Sequence, residues 1–273
     1  MLIKEKEMLL MRELKFGVEI EFFGANYVTV IEKLRAAGIA VADFSGYTHK
    51  VIAQWKVTTD SSVTMDGTGL YRGLELVSPI LYGDEGLDEL AKVYEVLNSC
   101  GAKVDKTCGT HVHFDISDFT VQNCKNFLNL YYNYQGVINY LVPPSRRRNE
   151  YCKTLRKQDL VDINKDYVRS IRDIAYAMDT RYMTVNLQSY VKYGTIEIRQ
   201  HSGTTDFEKM EAWIILMYQL LDVAKQEEKV HLCNRKYTVT FKNLNRLLKT
   251  TNLDNTCIGD YLTTRFNHFK EVA

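Results

Sequence analysis

The sequence predicts an α+β fold with a mainly antiparallel sheet. Short segments alternate apolar and polar residues at period two, while longer ones repeat apolar residues at helical spacing. The two kinds do not alternate strictly, as a parallel βαβ protein would require, and hairpin-length loops join some of the strands. The polar members of the alternating segments are carboxylates, imidazoles and a guanidinium, so one face of the sheet is built for chemistry.

The elements follow in order. In KFGVEIEFFG (15–24), Phe16, Val18, Ile20 and Phe22 fall on one face of a strand, with Glu19 and Glu21 on the other. NYVTVIEKLRAAG reads as a helix capped by Asn26 and stopped by Gly38. VIAQWKVTTD and YRGLELVSP alternate as half-buried strands, the second ending at Pro79. From Asp84, the residues Leu87, Leu90, Ala91, Tyr94 and Leu97 recur at helical spacing up to Gly101. GTHVHFDIS is the next strand, and a helix is expected from Phe119 to Leu141, ended by Pro143 and Pro144. Residues 145–180 are polar and basic, with helical spacing in Val168, Ile171, Ile174, Ala175 and Met178. RYMTVNL and GTIEIRQH read as strands, and Phe207, Met210, Trp213, Ile214, Met217 and Leu221 form the stripe of an amphipathic helix. The remainder, 226–273, reads as a helical appendage without a chemical signature.

Composition narrows the function classes. The chain has 273 residues, 45% hydrophobic and 25% charged, with three prolines and no Gly/Ser-rich linker. The expected division is an N-terminal segment 1–13, one catalytic domain 14–225 and the appendage 226–273. Thirty-five basic against 34 acidic residues give a net charge of +1, without the global positive field of a nucleic-acid binder. MLIKEKEMLLMREL has no continuous apolar core of a signal peptide, and WIILMYQLL is too short to span a bilayer. The six scattered cysteines then read as reduced thiols of a cytoplasmic protein, with no membrane or nucleic-acid partner.

Three polar pairs share one spacing: Glu19-x-Glu21, His111-x-His113 and Glu197-x-Arg199, each flanked by apolar residues. Side chains at i and i+2 stand roughly 7 Å apart and neighbouring strands roughly 4.8 Å apart, so adjacent strands would form a lattice of ligands. Asp60 and Glu75 fit the same face. A single Glu-x-Glu is commonly a solvated face; three pairs in the same phase point to a shared site. Carboxylates with an imidazole favour Mg²⁺ or Mn²⁺ over Zn²⁺, and two ions suit so many ligands. The fork of Arg199 suits a phosphate that the metals also hold.

Other motif readings are weaker. HVHFD opens like a metallo-β-lactamase signature, but Ile116 stands where the second-metal histidine belongs. Cys108, His111 and His113 offer three zinc ligands without a fourth. No phosphate-cradling glycine loop and no kinase signature occur, so any nucleotide must be held by the sheet and its metals.

FGVEIEFFG, WKVTTDSSV, GLELVSPIL, CGTHVHFD, RYMTVNL and TIEIRQHSGT, in that order, resemble the putative amidoligase family of the carboxylate–amine ligase superfamily, which includes glutamine synthetase and glutamate–cysteine ligase. The resemblance spans about residues 14–215. It implies a curved sheet with a polar concave active-site face and helices on the other, as in the glutamine synthetase catalytic domain. It also implies ATP-dependent amide formation through an acyl phosphate, with two Mg²⁺ or Mn²⁺ ions. By motif, Glu19, His111 and Glu197 would form the nucleotide-side metal site, and Glu21, Glu75 and Asp60 the substrate-side site. Arg199 would neutralise the transferring phosphoryl group, His113 would contact phosphate, and Arg181 would bind phosphate or the acyl phosphate. The roles of the two histidines are exchangeable. Asp60 stands where better-known relatives use Glu, and its shorter arm leaves room for a water.

The basic stretch PPSRRRNEYCKTLRK (143–157) falls where a substrate-covering insertion would lie. It reads either as a solvated loop or as the binding segment for an acidic substrate, with Arg148 and Tyr151 as its leading contacts. The expected partners are a small-molecule or peptide carboxylate and an amine. Two alternatives stand beside the ligase: a phosphotransferase of guanidino-kinase type, and a metal- or nucleotide-binding module without turnover.

Overall fold

The structure is a computed structural model that describes residues 13–44, 52–64, 72–178 and 180–271. Most of the expected N-terminal segment, Val51 and Tyr71 lie outside the described residues. The chain is α+β and divides into two compact units, one of Met1–Phe114 and Ser202–Glu211, the other of Asp115–His201 and Ala212–Ala273.

The first unit holds an antiparallel sheet. Its central strand β1 (Lys15–Phe22) pairs with β3 (Arg72–Val77) on one side and with β5 (Gly109–Asp115) on the other. Strand β2 (Lys56–Thr64) pairs with β3, and the two-residue β4 (Leu81–Tyr82) extends the edge beside the start of β1. Phe16, Val18, Ile20 and Phe22 are buried with Val57, Leu76, Val112 and Phe114, so the period-two pattern of the sequence has one apolar face. Between β3 and β4, Pro79 has no N–H to offer. The Ser78 hydroxyl satisfies the strand amide beside it, accepting from Val18 at 2.8 Å, and donates to the Pro79 carbonyl at 2.7 Å. In β2 the register shifts between Asp60 and Thr64. The Val63 side chain fills the space above Gly73, where a Cβ would sit 2.1 Å from it.

Helix α1 (Tyr27–Ala36) starts where Asn26 accepts from the Val28 amide at 2.8 Å, and ends at Gly38 with a left-handed φ of 80°. Helix α2 (Gly83–Ser99) buries Leu87, Leu90, Val93, Tyr94 and Leu97.

The second unit is organised by α3 (Val121–Ile138), which ends five residues before Pro143. Nearly every residue of α3 is buried, including Lys125, Asn126, Asn129, Asn133 and Gln135. Most of their polar atoms are spent on backbone, with Asn129 also exchanging side-chain bonds with Asn164. Asn126 donates to the carbonyls of Ala224 and Glu227 and accepts from the Val230 amide; Asn129 donates to Val230, and Asn133 to His231 while accepting from Cys233. This amide column does for the irregular segment 227–233, and for the Ala224 carbonyl before it, what a partner strand does in a sheet. Gly136 continues it, for a Cβ there would meet the Tyr237 carbonyl at 2.3 Å. Lys125 donates to the Lys165 and Val168 carbonyls between α4 (Lys157–Ile163) and α5 (Ile171–Ala177).

The expected strand 181–187 is regular only as β6 (Val185–Asn186), paired antiparallel with β7 (Thr195–Ser202). Before it, residues 182–184 are stitched instead to Lys153. A short helix α6 (Gln188–Tyr193) stands between β6 and β7, too brief for its period to show in the sequence. Helix α7 (Phe207–Gln226) follows, then α8 (Phe241–Thr250) and α9 (Cys257–Glu271). The described cysteines are all free thiols, and no described helix is long and apolar enough to cross a membrane.

Candidate active site

In the first unit the sheet register brings six predicted residues onto one polar face. Glu19 lies opposite His111 across β1 and β5, and Glu21 opposite Glu75 across β1 and β3. Like charges directly opposite one another destabilise a sheet, so this register calls for a compensating cation or proton. Asp60 reaches the same place from β2. Oxygens of Glu21, Asp60 and Glu75 lie within 4.8 Å of one another, as do donor atoms of Glu19, Glu75 and His111. Glu75 belongs to both groups and can bridge them.

The histidines sit between the acids. His111 faces Glu19 through Nδ1 at 3.1 Å and Glu21 through Nε2 at 3.7 Å, while His113 Nε2 stands 3.5 Å from Glu19. Burial raises the pKa of Glu19, but hydrogen bonds from His111 and His113 outweigh it and hold the carboxyl well below its ordinary range. Glu21 is fixed by the Gly109 amide, which donates to it at 2.6 Å, and Asp60 by the amide and hydroxyl of Ser62, both at 2.6 Å. Oxygen donors with imidazole at the margin suit a hard divalent cation. The zinc alternative is not supported: no donor group among the described residues includes Cys108, and burial pushes its thiol up to about 11, away from the thiolate that zinc needs.

In the second unit Glu197 and Arg199, two residues apart on β7, form an ion pair. Asn186, opposite Glu197 in the β6–β7 ladder, donates to its second oxygen at 2.6 Å. The Arg199 Nε donates to the Tyr151 carbonyl at 3.3 Å, and the guanidinium lies 5.8 Å from the centre of the Tyr182 ring. Arg181 sits against the same ring at 5.1 Å, and Tyr151 meets it edge-on at 5.7 Å. The side chain of Arg148 lines a separate cavity.

A family model described as "Putative amidoligase enzyme" matches residues 12–221. The chain belongs to this family. Among curated proteins, no sequence matches the amidoligase. Of solved structures, it is similar to a bifunctional glutathione synthetase from Pasteurella multocida, with 12% identity, a TM-score of 0.50 and coverage of 98% of this chain and 48% of that one. It is also similar to a novel glutamine synthase homolog, with 13% identity, a TM-score of 0.45 and coverage of 98% and 69%. The amidoligase chain thus spans about half the length of the Pasteurella protein, and that likeness is one of fold.

Sequence reasoning missed Asn186 and Tyr182. Asn186 had a usable signal, since RYMTVNL and TIEIRQH carry their polar residues in matching phase and antiparallel pairing sets Asn186 against Glu197. Tyr182 had none, because its role depends on three segments distant in sequence. The basic stretch 143–157 is not a loose loop. Arg146, buried, donates to the Arg199 carbonyl at 2.7 Å and the Gln200 carbonyl at 3.3 Å. Lys153 exchanges backbone bonds with Tyr182 and Thr184, both at 2.8 Å, and the Gln135 side chain clamps both backbone groups of Leu155.

Proposed function

We propose that this amidoligase is an ATP-dependent carboxylate–amine ligase that works through an acyl phosphate and two divalent cations, Mg²⁺ or Mn²⁺. The observation that carries the reading is the register of β1, β3 and β5, which sets Glu21 opposite Glu75 and Glu19 opposite His111 with Asp60 alongside. Bound there, the cations would screen the phosphates of ATP from the substrate carboxylate and stabilise charge on the transferring group.

In this reading Glu21, Glu75 and Asp60 hold the substrate-side cation, and Glu19 with His111 the nucleotide-side one. Glu197 and Arg199 enter through the family's motif order. Glu197 completes the nucleotide-side set, and Arg199 presents its fork to the phosphoryl group as charge redistributes over its oxygens. The Glu197–Arg199 pair and the Tyr151 carbonyl hold that guanidinium to one orientation, which serves transition-state binding at little reorganisation cost. His113 and Arg181 contact phosphate. The γ-phosphoryl passes to the carboxylate, and an amine then displaces phosphate and forms the amide. The expected substrates are a small-molecule or peptide carboxylate and an amine, with the enzyme in the cytoplasm.

Hydroxylamine tests the reading. Supplied with Mg·ATP and a panel of amino acids, dicarboxylates and acidic peptides, the enzyme should yield a hydroxamate from its carboxylate substrate. A stable phosphorylated product indifferent to amine would instead identify a phosphotransferase. Nucleotide and metal binding without turnover across the panel would identify a binding module.

A further inference from the structure

Arg199 is held through its main chain and its side chain alike. Its amide donates to the Thr184 carbonyl at 2.9 Å and its carbonyl accepts from Arg146 at 2.7 Å, while its guanidinium pairs with Glu197 and donates through Nε to the Tyr151 carbonyl at 3.3 Å. Two of these partners, Arg146 and Tyr151, come from one short stretch of chain, and a third residue of that stretch, Asn149, ties them together.

The Asn149 Oδ1 accepts from the Tyr151 amide at 2.8 Å, an Asx turn, and the Asn149 carbonyl accepts from the Cys152 amide at 3.4 Å. The Cys152 amide and the Tyr151 carbonyl belong to one planar trans peptide and point in opposite directions. Fixing the first on Asn149 therefore aims the second at Arg199. At the other end, the Asn149 Nδ2 donates to the Ser145 carbonyl at 3.3 Å, next to Arg146. Arg146 is only 3% exposed and grips two successive carbonyls of β7, those of Arg199 and Gln200. The Gln200 side chain is itself held by Tyr131 and Asn139. Residues 145–152 thus grip the strand that carries Arg199 at one end and the tip of its side chain at the other.

We propose that residues 145–152 form a bracket that sets the direction of the Arg199 guanidinium, with Arg146 and Asn149 as its positioning residues. Arg146 acts through the β7 main chain and Asn149 through the Tyr151 carbonyl. A guanidinium on a long flexible arm meets a reacting group productively only when its supports restrain it. That Arg199 serves a phosphoryl group rests on the ligase reading; the bracket itself does not.

The test reads the Arg199 Nε–H as its resonance in ¹H–¹⁵N spectra of the full chain without nucleotide, metal or substrate, assigned by its loss in Arg199→Lys. Asn149→Ala, at a half-buried position, should shift or broaden this signal while leaving the fold intact. In the hydroxamate reaction it should lower kcat at least about tenfold and change KM for ATP less than about threefold. Asn149→Asp keeps the acceptor for the Tyr151 amide and should restore both the signal and most of kcat. Arg146→Lys keeps the charge but cannot span two carbonyls, and should disturb the same signal. In an Arg199→Lys background, Asn149→Ala should cost less than about twofold further, because its effect passes through the guanidinium. An unchanged Arg199 signal in Asn149→Ala and Arg146→Lys would overturn the proposal, as would fully additive losses with Arg199→Lys or no rescue by Asp. If wild type forms no hydroxamate, the ligase reading fails and the spectra alone decide the bracket.

Discussion

Helix α3 and strand β1 both bury polar side chains at regular spacing, and they do so to opposite ends. On α3, the amides of Asn126, Asn129, Asn133 and Gln135 meet backbone donors and acceptors of irregular segments, so each polar atom is matched by its complement. On β1, Glu21 is set against Glu75, and Glu19 shares its space with two imidazoles. Matched groups stabilise a fold; like groups gathered together cost stability until a ligand compensates them. Polar periodicity alone does not separate scaffold from site. The identity of the partner does.

The sharpest way to break this contrast is to delete the α3 column. Asn126→Ala with Asn133→Ala strips buried backbone groups of five hydrogen bonds. This should cost about 3–5 kcal/mol and lower the melting temperature by roughly 10 °C, with cation affinity intact. A neutral double variant would show that water replaces the amides. Next in size is Arg199→Lys, which keeps the charge of the Glu197 pair and loses the fork. We expect near-wild-type melting and Mg·ATP binding, with kcat of the hydroxamate reaction reduced roughly a hundredfold. Normal turnover would reduce Arg199 to a counter-ion.

The strand side predicts an inverted sign. Glu75→Gln removes the like charge facing Glu21, so the metal-free variant should melt about 1–3 °C higher than wild type while Mn²⁺ affinity falls at least about tenfold. Lower stability in chelator would mean that Glu75 is a matched group after all. The smallest effect concerns Glu19, whose folded pKa is depressed below the ordinary 4.5 because hydrogen bonds from His111 and His113 outweigh burial. Such a group contributes stability above about pH 4.5 that is lost as pH falls through the depressed folded value. In chelator, the stability difference between wild type and Glu19→Gln should therefore be constant near neutrality and shrink below about pH 4.5 in urea unfolding. A difference independent of pH would show that the histidines do not act on Glu19.

Much of the strand side was legible in the sequence, because period two is short-range. Phe16 to Phe22 alternate without exception, and the ligand pairs keep that phase, so Glu19, Glu21 and His111 could be named before their register was known. The capped helix from Asn26 to Gly38 was legible for the same local reason. What could not be read depends on partners far along the chain. The end of α3 was misplaced because the chain tightens into turns before it reaches Pro143, with the Tyr140 and Leu141 amides donating three residues back to Val137 and Ile138, and the asparagine column looks like an ordinary polar stripe until residues 224–233 lie against it. The basic stretch stayed open between a solvated loop and a binding segment, since nothing in RRRNEYCK announces that Gln135, Thr184 and Arg199 will hold its backbone.

In the proposed function, the carboxylates gathered by β1, β2 and β3 hold divalent cations. Titration of the full chain with Mn²⁺, following the free-ion paramagnetic resonance signal with and without ATP, tests it most directly. Wild type should withdraw two ions per chain, more tightly with ATP, and Glu75→Gln should weaken both because its carboxylate belongs to both donor groups. Free Mn²⁺ persisting undiminished into the millimolar range, or binding unchanged in Glu75→Gln, would contradict the claim.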